Sequence, residues 1–248
     1  MGARTGHNAC ATVSISRSTL RARTKLFAAL SVVAAVSAVV LSCYAVFIRA
    51  EAASLLKDLT GLTVGTSTES DVEQLTRKHS RYLISRETSG EAVVTSFKVQ
   101  NKWLSSLGLE PYAFFGASVS VKDGHAHHIS VWLIRSMDTF PTFQGSAGMV
   151  DEYTEYPQYL SRYGHFAFPT PVGKPYLRVL LDSHASPIQR RRAFAFSFDC
   201  LTKPGGGCDL PCDYLPLAWQ DWQVALRDSG LFDVFNQHYP NSSRCKEY

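Results

Sequence analysis

The sequence predicts an α+β fold: an N-terminal single transmembrane helix, then one extracytoplasmic domain with an antiparallel sheet and flanking helices. Three observations carry that expectation. Leu26 to Ile48 runs for 23 residues without a charged side chain. Beyond it, short apolar or alternating segments are separated by Gly-containing turns, which is how strands and hairpins read. Helix start and stop signals stand near both ends of the remaining chain.

At a rise of ~1.5 Å per residue, Leu26 to Ile48 would extend about 34 Å, enough to cross the hydrocarbon layer. Arg4, Arg17, Arg21, Arg23 and Lys25 precede the segment with no acidic residue among them, whereas Arg49, Glu51, Lys57 and Asp58 after it nearly cancel. Basic flanks stay in the cytoplasm, which predicts a cytoplasmic tail over 1–25, a span over 26–48 and a domain over 49–248 on the far side. Two other readings compete with the span. Ala50-Glu51-Ala52 has the small-x-small form of a signal-peptidase site, but the apolar run exceeds the usual signal length. Val40-Leu41-Ser42-Cys43 distantly resembles a lipoprotein signal, but Tyr44 to Ile48 stay apolar past the cysteine. All three readings put the main domain outside the cytoplasm.

Hydrophobic residues make up 45 % and charged residues 19 % of the 248, which excludes disorder for most of the chain. The net charge of +4 is concentrated in the first 25 residues, so no nucleic-acid partner is expected. The membrane is the expected partner through Leu26 to Ile48, with an envelope protein or a lipid as the partner of the outer domain.

Glu51 to Leu59 reads as an outward continuation of the membrane helix. In Gly61 to Leu75, both Thr66 with Glu69 and Thr68 with Asp71 have capping-box spacing, and Val72, Leu75 and His79 share one helical face. The same segment resembles the helix start of small bacterial outer-membrane assembly lipoproteins of the SmpA/OmlA type, which implies an envelope compartment. Strands are expected over 81–87 and 92–99 around Thr88-Ser89-Gly90, and over 113–121 and 127–134 around Lys122-Asp123-Gly124. Residues 136–174 are rich in Gly, Pro and aromatics. Within them Tyr153, Tyr156, Tyr159 and Tyr163 suggest a helical stripe interrupted by Pro157, and 166–171 an extended loop. Tyr176 to Leu181 and Arg191 to Phe198 read as two further strands, giving about six in all. Pro216 suits a first helical turn, Trp219, Trp222 and Leu226 make an apolar face, and Gly230 suits the stop.

Four cysteines, Cys200, Cys208, Cys212 and Cys245, lie in the last fifth of the chain around a Gly- and Pro-rich loop. In an oxidising compartment they suggest two disulfides, with three connectivities open. A metal site is the rival reading, but paired C-x2-C knuckles are missing. Cys10 falls in the tail and Cys43 in the span. His125, His127 and His128 are the densest group of potential ligands. They are either a metal site of a hydrolase or a solvated hairpin rim. Arg190 and Arg192 would share one strand face and either contact an anion or partner or simply guard a strand edge. Asn241-Ser242-Ser243 fits a glycosylation sequon. No phosphate-binding, nucleophile-elbow, dinucleotide, zinc-protease or dithiol motif occurs, and no cofactor is implied. The leading expectation is therefore a membrane-anchored binding or assembly protein, with an extracytoplasmic metal-dependent hydrolase as the alternative.

Overall fold

The computed structural model describes residues 17–109, 112–136, 145–154, 166–167, 176–203, 208, 210–228 and 245. The chain divides into two compact units, Met1–Tyr44 and Ala45–Tyr248. Helix α1 (Arg17–Gly61) contributes to both. Its N-terminal part exposes apolar side chains such as Phe27, Leu30, Val36 and Val40, and is long and apolar enough to cross a membrane. Within it, the Ser31 hydroxyl donates to the Phe27 carbonyl, which removes the cost of a polar group there. From Ala45 onward α1 becomes amphipathic. Ala52, Leu55, Leu56 and Leu59 are buried at helical spacing, as a core-facing stripe requires.

Helix α2 (Glu69–Lys78) starts at Thr68, whose hydroxyl accepts from the Asp71 amide while the Asp71 carboxylate accepts from the Thr68 amide. Of the two expected capping boxes this is the one formed. Val72, Leu75 and His79 are buried, as their spacing predicted, and the His79 ring meets Asp58 of α1 at 2.6 Å.

Seven strands follow: β1 (Leu83–Ser89), β2 (Ala92–Gln100), β3 (Tyr112–Lys122), β4 (His125–Ser136), β5 (Gly145–Tyr153), β6 (Phe166–Ala167) and β7 (Tyr176–Asp182). They form one sheet in the order β1-β2-β3-β4-β5-β7-β6. The β3–β4 turn places Asp123 and Gly124 both at positive φ, the conformation that an Asp-Gly hairpin favours. A short helix, α3 (Lys102–Ser106), joins β2 to β3.

Three expectations are corrected. The sheet is mixed, because β5 and β7 pair in parallel. A parallel pair cannot be joined by a tight hairpin turn and needs a longer crossover connection. Strand β5 lies in the stretch rich in Gly, Pro and aromatics and ends on Tyr153, which the tyrosine spacing assigns to a helical stripe. Gly148 is required there because a Cβ would come within 2.8 Å of Tyr214 and 3.0 Å of Leu215. Finally, Arg191–Phe198 is not a strand. Ser186 caps helix α4 (Pro187–Ala193) with a full capping box to Gln189, and Pro187 opens its first turn, so the arginines lie on a helix. The alternation of Phe194, Phe196 and Phe198 has another cause: Phe196 and Phe198 both turn their rings edge-on to Phe115.

Helix α5 (Pro216–Asp228) starts where predicted, and buries Trp219 and Trp222 with ring centroids 4.5 Å apart. Tyr156, Tyr159, Tyr163, residues 168–171, Gly230, the Asn241 sequon and most of the basic tail lie outside the described residues.

Candidate functional site

Past Val93, strand β2 alternates between half-buried and buried residues, and β3 does the same except at Gly116, which is buried beneath Trp132, so the sheet has one dry face and one wet face. The dry face carries Phe97, Val99, Phe115, Ala117, Val119, Ile129, Val131 and Leu133, all fully buried. The wet face is ordered into rows by the strand register. Lys98, Gly116, Trp132, Met149 and Arg178 align across β2, β3, β4, β5 and β7. Beside them run Ser96, Ser118, Ser130, Asp151 and Leu180, and then Val94, Ser120, His128, Tyr153 and Asp182.

Side-chain size turns those rows into a trough. The middle row is serine from β2 to β4. On one side the Trp132 indole lies over Gly116, where any Cβ would collide with it. Lys98 Nζ sits 4.4 Å from the Phe114 ring centroid and 5.2 Å from that of Tyr112, a cation–π pairing that extends the same wall. On the other side His128 stacks on Tyr153 at 4.2 Å, with the ring planes 7° apart. The two flanking rows are four residues apart along each strand, about 13 Å between backbones. Ser96 and Ser118 are half-buried, so the trough is accessible over β2 and β3, whereas Ser130 and Asp151 close it.

The closed end is the most polar buried point described. Asp151 accepts from Arg178 Nε at 2.5 Å, lies 3.2 Å from His128 Nε2 and accepts a hydrogen bond from Ser130. Burial pushes its carboxyl up, but the bonds from His128 and Ser130 and the charge of Arg178 outweigh it and hold the group below the usual carboxylate range. Arg178 also donates to the Tyr153 hydroxyl at 3.4 Å, so one carboxylate fixes both the cation and the aromatic stack.

The residues singled out from sequence are dispersed. Cys200 is bonded to Cys208 and Cys212 to Cys245, at sequence separations of 8 and 33. Arg190 is turned inward. Its Nε donates to both Glu152 carboxylate oxygens at 3.0 and 2.9 Å, and its two terminal nitrogens donate to the carbonyls of Thr60 and Leu62. Burial raises the Glu152 carboxyl above its ordinary value, only partly countered by Arg190. Arg192 makes a two-toothed pair with Asp221. His125 is exposed, and His127 is the extra residue of a β-bulge opposite Ser120 and Val121, its Nδ1 against the Thr154 hydroxyl. His128 alone of the three reaches the Asp151 cluster. Among the described residues, no three of His, Cys, Asp and Glu are grouped to hold a metal ion.

Sequence reasoning missed Asp151, Arg178, Trp132 and the serine row. The available signal was Ser118, Ser120, Ser130 and Trp132, every second residue on two strands joined by an unambiguous hairpin. No family model matches the chain, no curated protein matches it, and no solved structure matches it.

Proposed function

We propose that the chain is a single-pass membrane-anchored binding or assembly protein whose outer domain holds an extended polar segment of an envelope protein in the wet-face trough. The observation that carries the reading is the accessible serine pair Ser96 and Ser118, bounded on one side by the Trp132–Phe114 wall and ending against the closed His128–Tyr153–Asp151 cluster. Small hydroxyl side chains let a backbone approach closely and supply donors and acceptors, while aromatic walls contribute contact area at low entropic cost. A photoreactive benzoylphenylalanine in place of Ser118 should capture a protein adduct in living cells, lost when Trp132→Ala is added. Capture no greater than from a control at Thr88, on the β1–β2 hairpin, would sink the proposal.

The two disulfides and the basic residues before the apolar segment support an N-terminus in the cytoplasm and a domain in an oxidising compartment. In intact cells, a membrane-impermeant alkylating reagent should label Cys200, Cys208, Cys212 and Cys245 only after mild reduction. Labelling that requires the membrane to be broken would reverse the topology.

A further inference from the structure

The domain's own contacts show which end of its sheet lies where its chain begins. Arg49 pairs with Asp199 at 2.8 Å, and neighbouring Phe198 packs on Phe115 at 5.1 Å. Eleven residues later the Thr60 carbonyl accepts from Arg190, which is paired with Glu152 opposite Ile129. Helix α1 therefore travels from the level of Phe115 to the level of Ile129. Its starting point, Ala45 to Arg49, belongs with the end of the sheet that carries Gln100, Tyr112 and α3. Arg81 agrees, since its guanidinium lies 5.5 Å from the Phe47 ring centroid in the turn leading into β1.

That end is where the domain exposes its apolar side chains. Trp103 is 68 % exposed, Leu107 59 % and Leu109 47 %. Apart from Val46 and Phe47 on the first turns of α1, the other exposed large apolar residues among the described ones of this unit are scattered: Leu83 and Ile84 at the bulge opposite Phe97 and Ser96, Ile188 on α4 and Val224 on α5. The display is built in. Leu104 is the buried residue of α3 and anchors it, Asn101 and Ala113 exchange two hydrogen bonds, and the Leu109 amide donates to the Leu104 carbonyl through a turn with Gly108 at positive φ. Three large apolar side chains held outward within seven residues cost solubility unless something covers them.

We propose that this end is a second membrane contact, with Trp103, Leu107 and Leu109 seated in the interfacial layer of the bilayer that holds the anchor. The proposal rests on the tethered reading given above. Chain connectivity is what selects lipid as the occupant, because the apolar segment ends at Ile48, next to Phe47 and its partner Arg81. Composition agrees, since an indole suits the headgroup boundary and Lys102, exposed beside Trp103, can keep its ammonium at the phosphates. The contact would hold the domain in one orientation on the surface, with the trough at a fixed height.

The test uses the full chain in phosphatidylcholine–phosphatidylglycerol vesicles whose acyl chains are brominated near the headgroup, with tryptophan emission as readout. Trp219 and Trp222 are buried and Trp132 lies in the trough, so Trp103 is the indole expected to meet bromine. Wild type should lose emission on bromination, Trp103→Phe should lose most of that response, and Leu107→Asp with Leu109→Asp should abolish it although Trp103 remains. Equal quenching of wild type and Trp103→Phe would overturn the second contact. An alkaline carbonate wash separates the two ideas. A chain that washes off brings down the tether and this contact together, whereas one that stays without Trp103-dependent quenching brings down only the contact.

Discussion

Asp151 and Glu152 are neighbours on β5, both are buried, and both are paired with an arginine, yet their carboxyls shift in opposite directions. Consecutive strand residues face opposite sides of a sheet, so the two sample its two environments. On the wet side Asp151 is met by Arg178, His128 and Ser130, and the ionised form wins. On the dry side burial dominates and Arg190 alone counters it, so Glu152 is pushed up. The number of donors reaching the carboxylate, more than its depth, decides in which direction the fold shifts it. Glu152 is therefore a structural joint with an unfavourable charge, and Asp151 is the organiser of the trough.

The largest effect should come from breaking the dry-side pair. Arg190→Gln leaves Glu152 buried without its cation and frees the carbonyls of Thr60 and Leu62 at the end of α1, a loss of about 3–5 kcal/mol. Denaturant unfolding followed by tryptophan emission would measure it. A carboxyl whose folded value is raised carries no charge penalty below its ordinary value and acquires one as pH rises through the raised value. The variant should therefore recover stability relative to wild type on acidification. Adding Glu152→Gln should also restore much of the loss at neutral pH. An undiminished penalty in the double variant would mean that the carbonyls, not the charge, are what Arg190 serves.

The wet-side counterpart should be milder, because Arg178 and His128 keep partial access to water. Asp151→Asn is expected to cost about 1–3 kcal/mol. The pH sign is opposite to that of Glu152. A depressed carboxyl contributes fully above its ordinary value, near 3.9, and the contribution is lost as pH falls below that toward the lowered folded value. Wild type should thus lose stability in acid more steeply than Asp151→Asn. Parallel acid profiles would show that Asp151 is not the organiser described here.

These two carboxylates also mark the boundary of what the sequence could reveal. The apolar span, the Thr68 cap, the Asp123-Gly124 hairpin and the Pro216 helix start are local, each legible within a few residues. Asp151 and Glu152 carry no local signal within a run rich in Gly, Pro and aromatics, because their partners Arg178 and Arg190 lie 27 and 38 residues away. The parallel β5–β7 pairing is hidden for the same reason. Arg191 to Phe198 misled in the other direction. The period-two phenylalanines suggested a strand, and the shorter-range Ser186-Pro187-x-Gln189 start, which the fold obeys, was the stronger physical signal.

The smallest effect should be at Arg192, two residues from Arg190 on the same helix and equally basic in sequence. Its pairing with Asp221 is geometrically good, but both side chains stay in contact with solvent, at 33 % and 44 % exposure. Water screens such pairs, and the ordering of two long side chains offsets part of the gain, leaving about 0.2–1 kcal/mol. Arg192→Ala should therefore shift the unfolding midpoint only slightly, and raised salt should shrink even that difference, whereas the Arg190 penalty should persist in salt because its carboxylate is dry. Two arginines two residues apart on one helix with large and negligible costs would show that the burial of the partner carboxylate, and not the charge count of the segment, sets what each does. Equal costs would place the α4–α5 contact on the same footing as the α1–β5 joint.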